Sequence, residues 1–207
     1  MIKMQFIHGI LTCTLFLGYL ILWYIKRRAL LRSDGVEANV ADLAVKPIQK
    51  YFWSLERVMT VVAGLLIFAH TFFKNSIPAL HFAGFLDNQL SVLLGFVLGV
   101  LGLTLCRMAQ VAIGKSWRVG IDENAKPGLV TNGIYRYVRN PTYTGLFMMC
   151  GGVWIMNPTF AFGYWVLVFF LMMEFLVRCE EEYLLSQYGG EYVCYCSRSK
   201  RYLPKIY

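Results

Sequence analysis

The sequence predicts an all-α integral membrane protein of about five transmembrane helices, with a long polar loop and a helical C-terminal tail on the cytoplasmic side. Three observations carry this. First, 57% of the 207 residues are hydrophobic and only 15% are charged, whereas soluble domains carry about 25% charged residues; mean hydropathy is +0.52. Second, apolar runs long enough for membrane helices alternate with polar segments. Third, the basic residues are strongly asymmetric: all but Lys3 and Lys74 of the 20 lysines and arginines fall on one side of the layout.

The first apolar run covers residues 6–25, and a helix of that length rises about 30 Å. Only Lys3 precedes it as a charge, and Lys26-Arg27-Arg28 follows directly, so it reads as a retained anchor and not as a cleaved signal. Residues 29–54 are mixed and amphipathic and read as a cytoplasmic loop with an interfacial helix. Residues 55–73 form the second run. Residues 74–89, with Asn75, Pro78, Asp87 and Asn88, are a polar turn region. Residues 90–113 form the third run, with Arg107 near its end, where an arginine snorkels to the interface. Residues 114–140 are polar and glycine-rich. Residues 141–156 are a fourth, short run of about 24 Å, closed by a turn at Asn157-Pro158. Residues 159–177 form the fifth, and 178–207 a charged, tyrosine-rich tail. The positive-inside rule then places the amino terminus outside and the long loops and tail in the cytoplasm. A natural division is 1–113, the first three helices, and 114–207, the part where the polar chemistry gathers.

The net charge of +8 fits an anionic membrane surface better than nucleic acid, because the basic residues flank apolar runs and no nucleic-acid module is present. The six cysteines read as small, reduced apolar residues; the Cys194/Cys196 spacing suits neither a redox pair nor zinc. His8, His70 and His81 sit near no ligand cluster, and no metal is expected.

The chemistry therefore lies in the polar segments. One is Gly128-Leu129-Val130-Thr131-Asn132-Gly133-Ile134-Tyr135, leading into Arg136-Tyr137-Val138-Arg139-Asn140-Pro141-Thr142-Tyr143-Thr144-Gly145. Its glycines allow close backbone approach, and Pro141 suits the first turn of a helix, whose N–H groups can meet an anion. The same residues also fit a plain helix-entry turn with interfacial aromatics. The second segment begins Arg178-Cys179-Glu180-Glu181-Glu182 and continues through Tyr188-Gly189-Gly190-Glu191-Tyr192 to Pro204. Three glutamates in succession on a helix point in three directions, so at least one should face protein; the bland alternative is a solvated charge run.

Together these segments resemble the isoprenylcysteine carboxyl methyltransferase family, within the wider group that includes membrane phospholipid methyltransferases. The residues that carry the resemblance are 129–133, Tyr135, 139–145, the Glu180-Glu181 pair, 188–192 and Pro204, in order and separated by a membrane hairpin. The resemblance implies a cytoplasmic cofactor-binding loop for S-adenosyl-L-methionine, with Leu129, Val130, Tyr135, Asn140, Pro141, Thr142, Tyr143 and Glu180 in cofactor-contacting positions and Pro127 and Gly128 at the edge of the same block. Glu180 would take the ammonium by a charge-assisted hydrogen bond, and the tyrosines would pack the adenine or face the sulfonium.

Two positions depart from the family pattern. Asn140 replaces a histidine, so no group there can gain a proton. Leu176 occupies the place of a substrate-binding arginine, four residues before Glu180. Arg178, one helical turn after Glu174, is then the candidate catalytic residue, its guanidinium fork suited to a carboxylate or phosphate acceptor. The expected activity is methyl transfer from S-adenosyl-L-methionine to an amphiphilic acceptor arriving from the lipid bilayer. Alternatives are a methyltransferase for a phospholipid amine or small thiol, and a non-catalytic membrane scaffold that keeps the family outline.

Overall fold

The computed structural model describes residues 2–35, 40, 47–73, 76–81, 86, 88–118, 120 and 128–204; Lys74 and Pro127 lie outside them. Six α-helices follow in order: α1 (Ile2–Asp34), α2 (Pro47–Phe73), α3 (Gln89–Ile113), α4 (Pro141–Met156), α5 (Phe160–Tyr188) and α6 (Gly190–Arg198). No strand occurs among the described residues. α1, α2, α3 and α5 are each long and apolar enough to cross a membrane, and the chain is a multi-pass integral membrane protein. α4 has 16 residues, short of the about 20 that a full span needs. The fourth apolar run is thus a helix as expected, and among the described residues four helices have spanning length.

The helix ends also differ from the sequence reading. The first helix runs on to Asp34, the second begins at Pro47 and the fifth continues to Tyr188. Lysine, arginine and glutamate are good helix formers, so the end of an apolar run marks where a helix leaves the membrane and not where it stops. The stops have local causes. Gly114 and Gly189, at φ +59° and +49°, take backbone conformations that other residues resist; they end α3 and separate α5 from α6. Asn88 caps α3 through the N–H of Ser91 at 2.9 Å, and Thr159 caps α5 through Phe162, as short polar side chains do. Pro141 opens α4.

α3 and α4 form the closest pair. A Cβ on Gly102 would fall 2.5 Å from the carbonyl oxygen of Gly145, and one on Gly95 would fall 2.5 Å from that of Gly152. The two backbones touch, as small residues at helical spacing permit inside a membrane. This seam crosses the 113/114 division and locks α3 onto the C-terminal half. Buried Asn157 ties the far end of α4 to α1, its Nδ2 donating to Thr12 Oγ1 at 2.7 Å. α2 and α5 are joined by Phe52 stacked on Phe175 at 4.0 Å and by Trp165 Nε1 donating to the carbonyl of Met59 at 3.1 Å. Leu176, 1% exposed, lies in the core between these helices.

Candidate active site

The C-terminal end of α3 and the start of α4 meet at the polar loop, and α5 leaves the apolar core at the same level. A strap formed by residues 198–202 then folds back across the loop. Arg139 N–H donates to the Lys200 carbonyl at 2.7 Å, Lys200 N–H to Tyr137 at 3.1 Å, and Asn140 N–H to Arg201 at 3.1 Å. Thr144 Oγ1 donates to the carbonyl of Tyr202 at 3.0 Å. From α6, the Tyr195 hydroxyl donates to the Tyr135 carbonyl at 2.7 Å. Burial raises the phenols of Tyr135 and Tyr195, the latter to about 12, so both are neutral at physiological pH.

Successive residues on a helix turn by about 100°, and the three glutamates of α5 separate accordingly. Glu180 accepts the Tyr143 hydroxyl at 2.6 Å. Glu181 turns to the loop and strap: it accepts from Arg139 Nε at 3.2 Å, Asn140 Nδ2 at 2.9 Å and Arg201 Nη2 at 2.7 Å. These cations hold its carboxylate in the charged form, with side chains only 13% exposed for Glu181 and Arg139. Glu182 is exposed. One glutamate does face the interior, as the helical geometry requires, and a second anchors the loop.

Above Glu180 and Tyr143 lies a cavity of about 560 Å³. Of the residues singled out from the sequence, 128–130, Tyr135, 140–143 and Glu180 all line it. Arg178 does not. Its side chain is 58% exposed and is held by Glu174 at 2.8 Å, on the outer face of α5 two residues before Glu180. Glu174 also meets Arg201 at 3.5 Å and accepts the Tyr202 hydroxyl, which makes it part of the strap's attachment.

The cavity extends beyond the loop into the helices, and several of its wall residues were not singled out from the sequence. α2 contributes Trp53, Glu56, Arg57 and Thr60, and α3 contributes Gln110. Glu56 is an acidic residue inside an apolar helix, a signal in its own right that the reading of the second run passed over. Gln110 is 1% exposed, and its Oε1 has no hydrogen-bond partner. Apolar wall is supplied by Phe16, Ala63, Trp165 and Phe169.

An all-α membrane protein with a largely apolar cavity, polar along one wall, at one end of its helices defines the class. The family model for phospholipid methyltransferase matches residues 90–191. The chain is 32% identical over 147 residues to a protein-S-isoprenylcysteine O-methyltransferase of Schizosaccharomyces pombe, covering 65% of this chain and 59% of that one. It is 31% identical over 118 residues to protein-S-isoprenylcysteine O-methyltransferase B of Arabidopsis thaliana, covering 54% and 58%. The fold is that of a eukaryotic intramembrane Ras methyltransferase, isoprenylcysteine carboxyl methyltransferase, at TM-score 0.59 and 20% identity over 95% of this chain and 68% of that structure. These matches make the chain similar to membrane methyltransferases of the phospholipid and isoprenylcysteine carboxyl methyltransferase kind. It spans about three-fifths of the length of the two relatives named.

Proposed function

We propose that this chain is an S-adenosyl-L-methionine-dependent methyltransferase acting on an amphiphilic acceptor drawn from the bilayer. The observation that carries the reading is the joining of Glu180 and Tyr143, at 2.6 Å, on the wall of a cavity whose other side is membrane helix. The donor fits what the residues offer. The cavity falls within the about 300–1,000 Å³ of small-molecule sites. Gln110 Oε1 and Trp53 Nε1 are buried on its walls without partners, and buried polar atoms normally have one. Glu180 supplies a carboxylate for an ammonium group, Tyr135 and Tyr143 supply aromatic faces, and the start of α4 supplies N–H groups for a carboxylate.

When bound, S-adenosyl-L-methionine supplies a methyl group already activated on a sulfonium. The protein's own task is then alignment and exclusion of water. The 137–140 loop is pinned by the strap, Glu181 fixes Arg139 and Asn140, and Tyr195 fixes Tyr135, so the polar wall is rigid. The apolar wall between α1, α2 and α5 suits the tail of an amphiphile. A carboxylate or thiolate acceptor needs no base at this site; an amine must lose a proton, and Asn140 cannot take one.

The cavity gathers the C-terminal ends of α1, α3 and α5 and the N-terminal ends of α2 and α4, which therefore share one side of the membrane. The lysine and arginine asymmetry assigns that side to the cytoplasm. Calorimetric titration of the purified protein in detergent with S-adenosyl-L-methionine tests the reading, followed by transfer of a labelled methyl group to S-isoprenylated cysteine, phospholipid amine and thiol acceptors. Saturable binding and transfer to one membrane amphiphile are expected. Absence of binding would leave the scaffold alternative standing.

A further inference from the structure

The face of α3 that packs on α4 runs through Gly95, Gly99, Gly102 and Cys106, at helical spacing. Gly102 meets the backbone of Gly145, and Cys106 Sγ, one turn later, reaches the Thr142 carbonyl at 3.4 Å. α4 begins at Pro141, so the next residue of that face, Gln110, has no turn of α4 opposite it. It stands level with the loop that leads into α4. A second contact fixes the same level: a Cβ on Gly133 would lie 3.5 Å from the Cβ of Ala112, two residues beyond Gln110. Gln110, Tyr135, Asn140 and Thr142 line the cavity together.

Gln110 is buried, and its Oε1 has no hydrogen-bond partner. Two other uncharged polar side chains of this wall are already engaged. Asn140 Nδ2 donates to Glu181 at 2.9 Å, and Ser116 Oγ donates to the Gly128 carbonyl at 3.4 Å. A primary amide is uncharged and carries one acceptor and two donors side by side. It calls for no ion. It calls for a neutral group with a donor beside an acceptor, because a buried acceptor left without a partner is costly. Glu180 and Tyr143, joined on the same cavity wall, belong to α5 and α4. A ligand that meets both Glu180 and Gln110 therefore carries a cation at one end and a neutral donor–acceptor edge at the other.

We propose that Gln110 is the specificity-determining residue for the base of the methyl donor, its Oε1 accepting from the 6-amino group of adenine and its Nε2 donating to the adjacent ring nitrogen. This rests on the S-adenosyl-L-methionine reading above, and it adds a residue that the sequence did not single out. A glutamine amide and the edge of an adenine pair through two hydrogen bonds. The ammonium, sulfonium and carboxylate of the donor are ions, and the ribose offers hydroxyls on a puckered ring. The adenine edge is the neutral, planar part with a donor next to an acceptor. Tyr135, on the same wall, offers an aromatic face for the ring while Gln110 meets its edge.

The test uses the full chain in detergent and two probes, S-adenosyl-L-homocysteine and the same molecule with hydrogen in place of the 6-amino group. Calorimetry gives the affinity for each. Wild type should bind the amino-bearing probe about tenfold tighter, since the other leaves Oε1 without a partner. Gln110→Met keeps the length of the side chain and removes both hydrogen-bonding atoms. It should bring the two affinities to within about twofold of each other by weakening the amino-bearing probe. Its melting temperature without ligand should not fall, because no hydrogen bond within the protein is lost; a residue that only held the helices together would lower it and leave the preference standing. Glu180→Gln should weaken both probes alike and keep the preference, because the ammonium is common to them. Should Gln110→Met not yield folded protein, Gln110→Leu carries the same test. A preference retained in the Gln110 variants would overturn the proposal, and so would equal binding of the two probes by wild type, which leaves the methyltransferase reading in place. Binding of neither probe by wild type would overturn that reading and this one with it.

Discussion

Glu180 and Glu181 are adjacent carboxylates whose replacement should give opposite signatures. Glu180→Gln keeps the shape of the side chain and an acceptor for the Tyr143 hydroxyl, now at 2.6 Å, and removes only the charge. Losing a charged hydrogen-bond partner costs about 1.5–3 kcal/mol, which at about 1.4 kcal/mol per decade is roughly a tenfold to hundredfold weaker affinity for S-adenosyl-L-methionine. The melting temperature should hardly move, because no ion pair within the protein is broken. Glu181→Gln does break ion pairs, to Arg139 and Arg201, whose side chains are 13% and 19% exposed. Removing one partner of a buried pair costs on the order of 3 kcal/mol, so this variant should melt lower, and its affinity should fall only as far as the loop loosens. Calorimetry gives the affinities and thermal aggregation in detergent gives the stabilities. Donor binding by Glu180→Gln within twofold of wild type, with Glu181→Gln strongly impaired, would refute the assignment of the ammonium contact to Glu180.

Arg178→Leu should leave donor affinity and turnover within about twofold of wild type, because an exposed ion pair contributes at most about 1 kcal/mol; a large loss of turnover would restore Arg178 to the site. Gly102→Val should lower stability by about 1–3 kcal/mol, since its Cβ position lies 2.5 Å from the Gly145 carbonyl, and an unchanged melting curve would contradict the α3–α4 seam. Tyr195→Phe removes the hydrogen bond to the Tyr135 carbonyl and should cost about 1 kcal/mol with a modest loss of donor affinity, read by the same two assays. Reporters fused after Lys74 and after Tyr207 should report opposite sides of the membrane; the same side for both would break the proposed orientation.

The sequence was most legible where a residue type has one physical use. Apolar runs located every long helix, and Pro141, Asn157 and Thr159 located the α4–α5 hairpin. The spacing of Glu180, Glu181 and Glu182 gave three directions, two of which the structure fills with Tyr143 and with the Arg139–Asn140–Arg201 group. Helix ends were not legible from hydropathy, because the charged turns at 26–28 and 178–182 continue the helix. The Gly95–Gly99–Gly102 stripe did carry a signal, small residues at helical spacing in an apolar run, but its partner glycines on α4 appear only when the two helices are laid together. The α2 wall was least legible. Glu56 and Arg57 sit at the edge of an apolar run, where charges are ordinary, and only the packing of α1 against α2 turns that edge toward the cavity.

Neither half of the cavity wall is built from one stretch of chain, and the two halves are held differently. On the polar side Glu181 and Glu174 of α5 bind the strap through Arg201, while Glu181 also binds the loop through Arg139 and Asn140. Loop, strap and α5 therefore move together, and a rigid surface of this kind is what donor alignment demands. On the apolar side α1 and α2 meet at Gly9 and Thr71 and again at Phe16 and Gly64, and nearer the loop Leu20, Trp23, Arg57 and Thr60 line the cavity. The proposed membrane amphiphile needs an apolar wall of this kind for its tail, and a small water-soluble thiol does not.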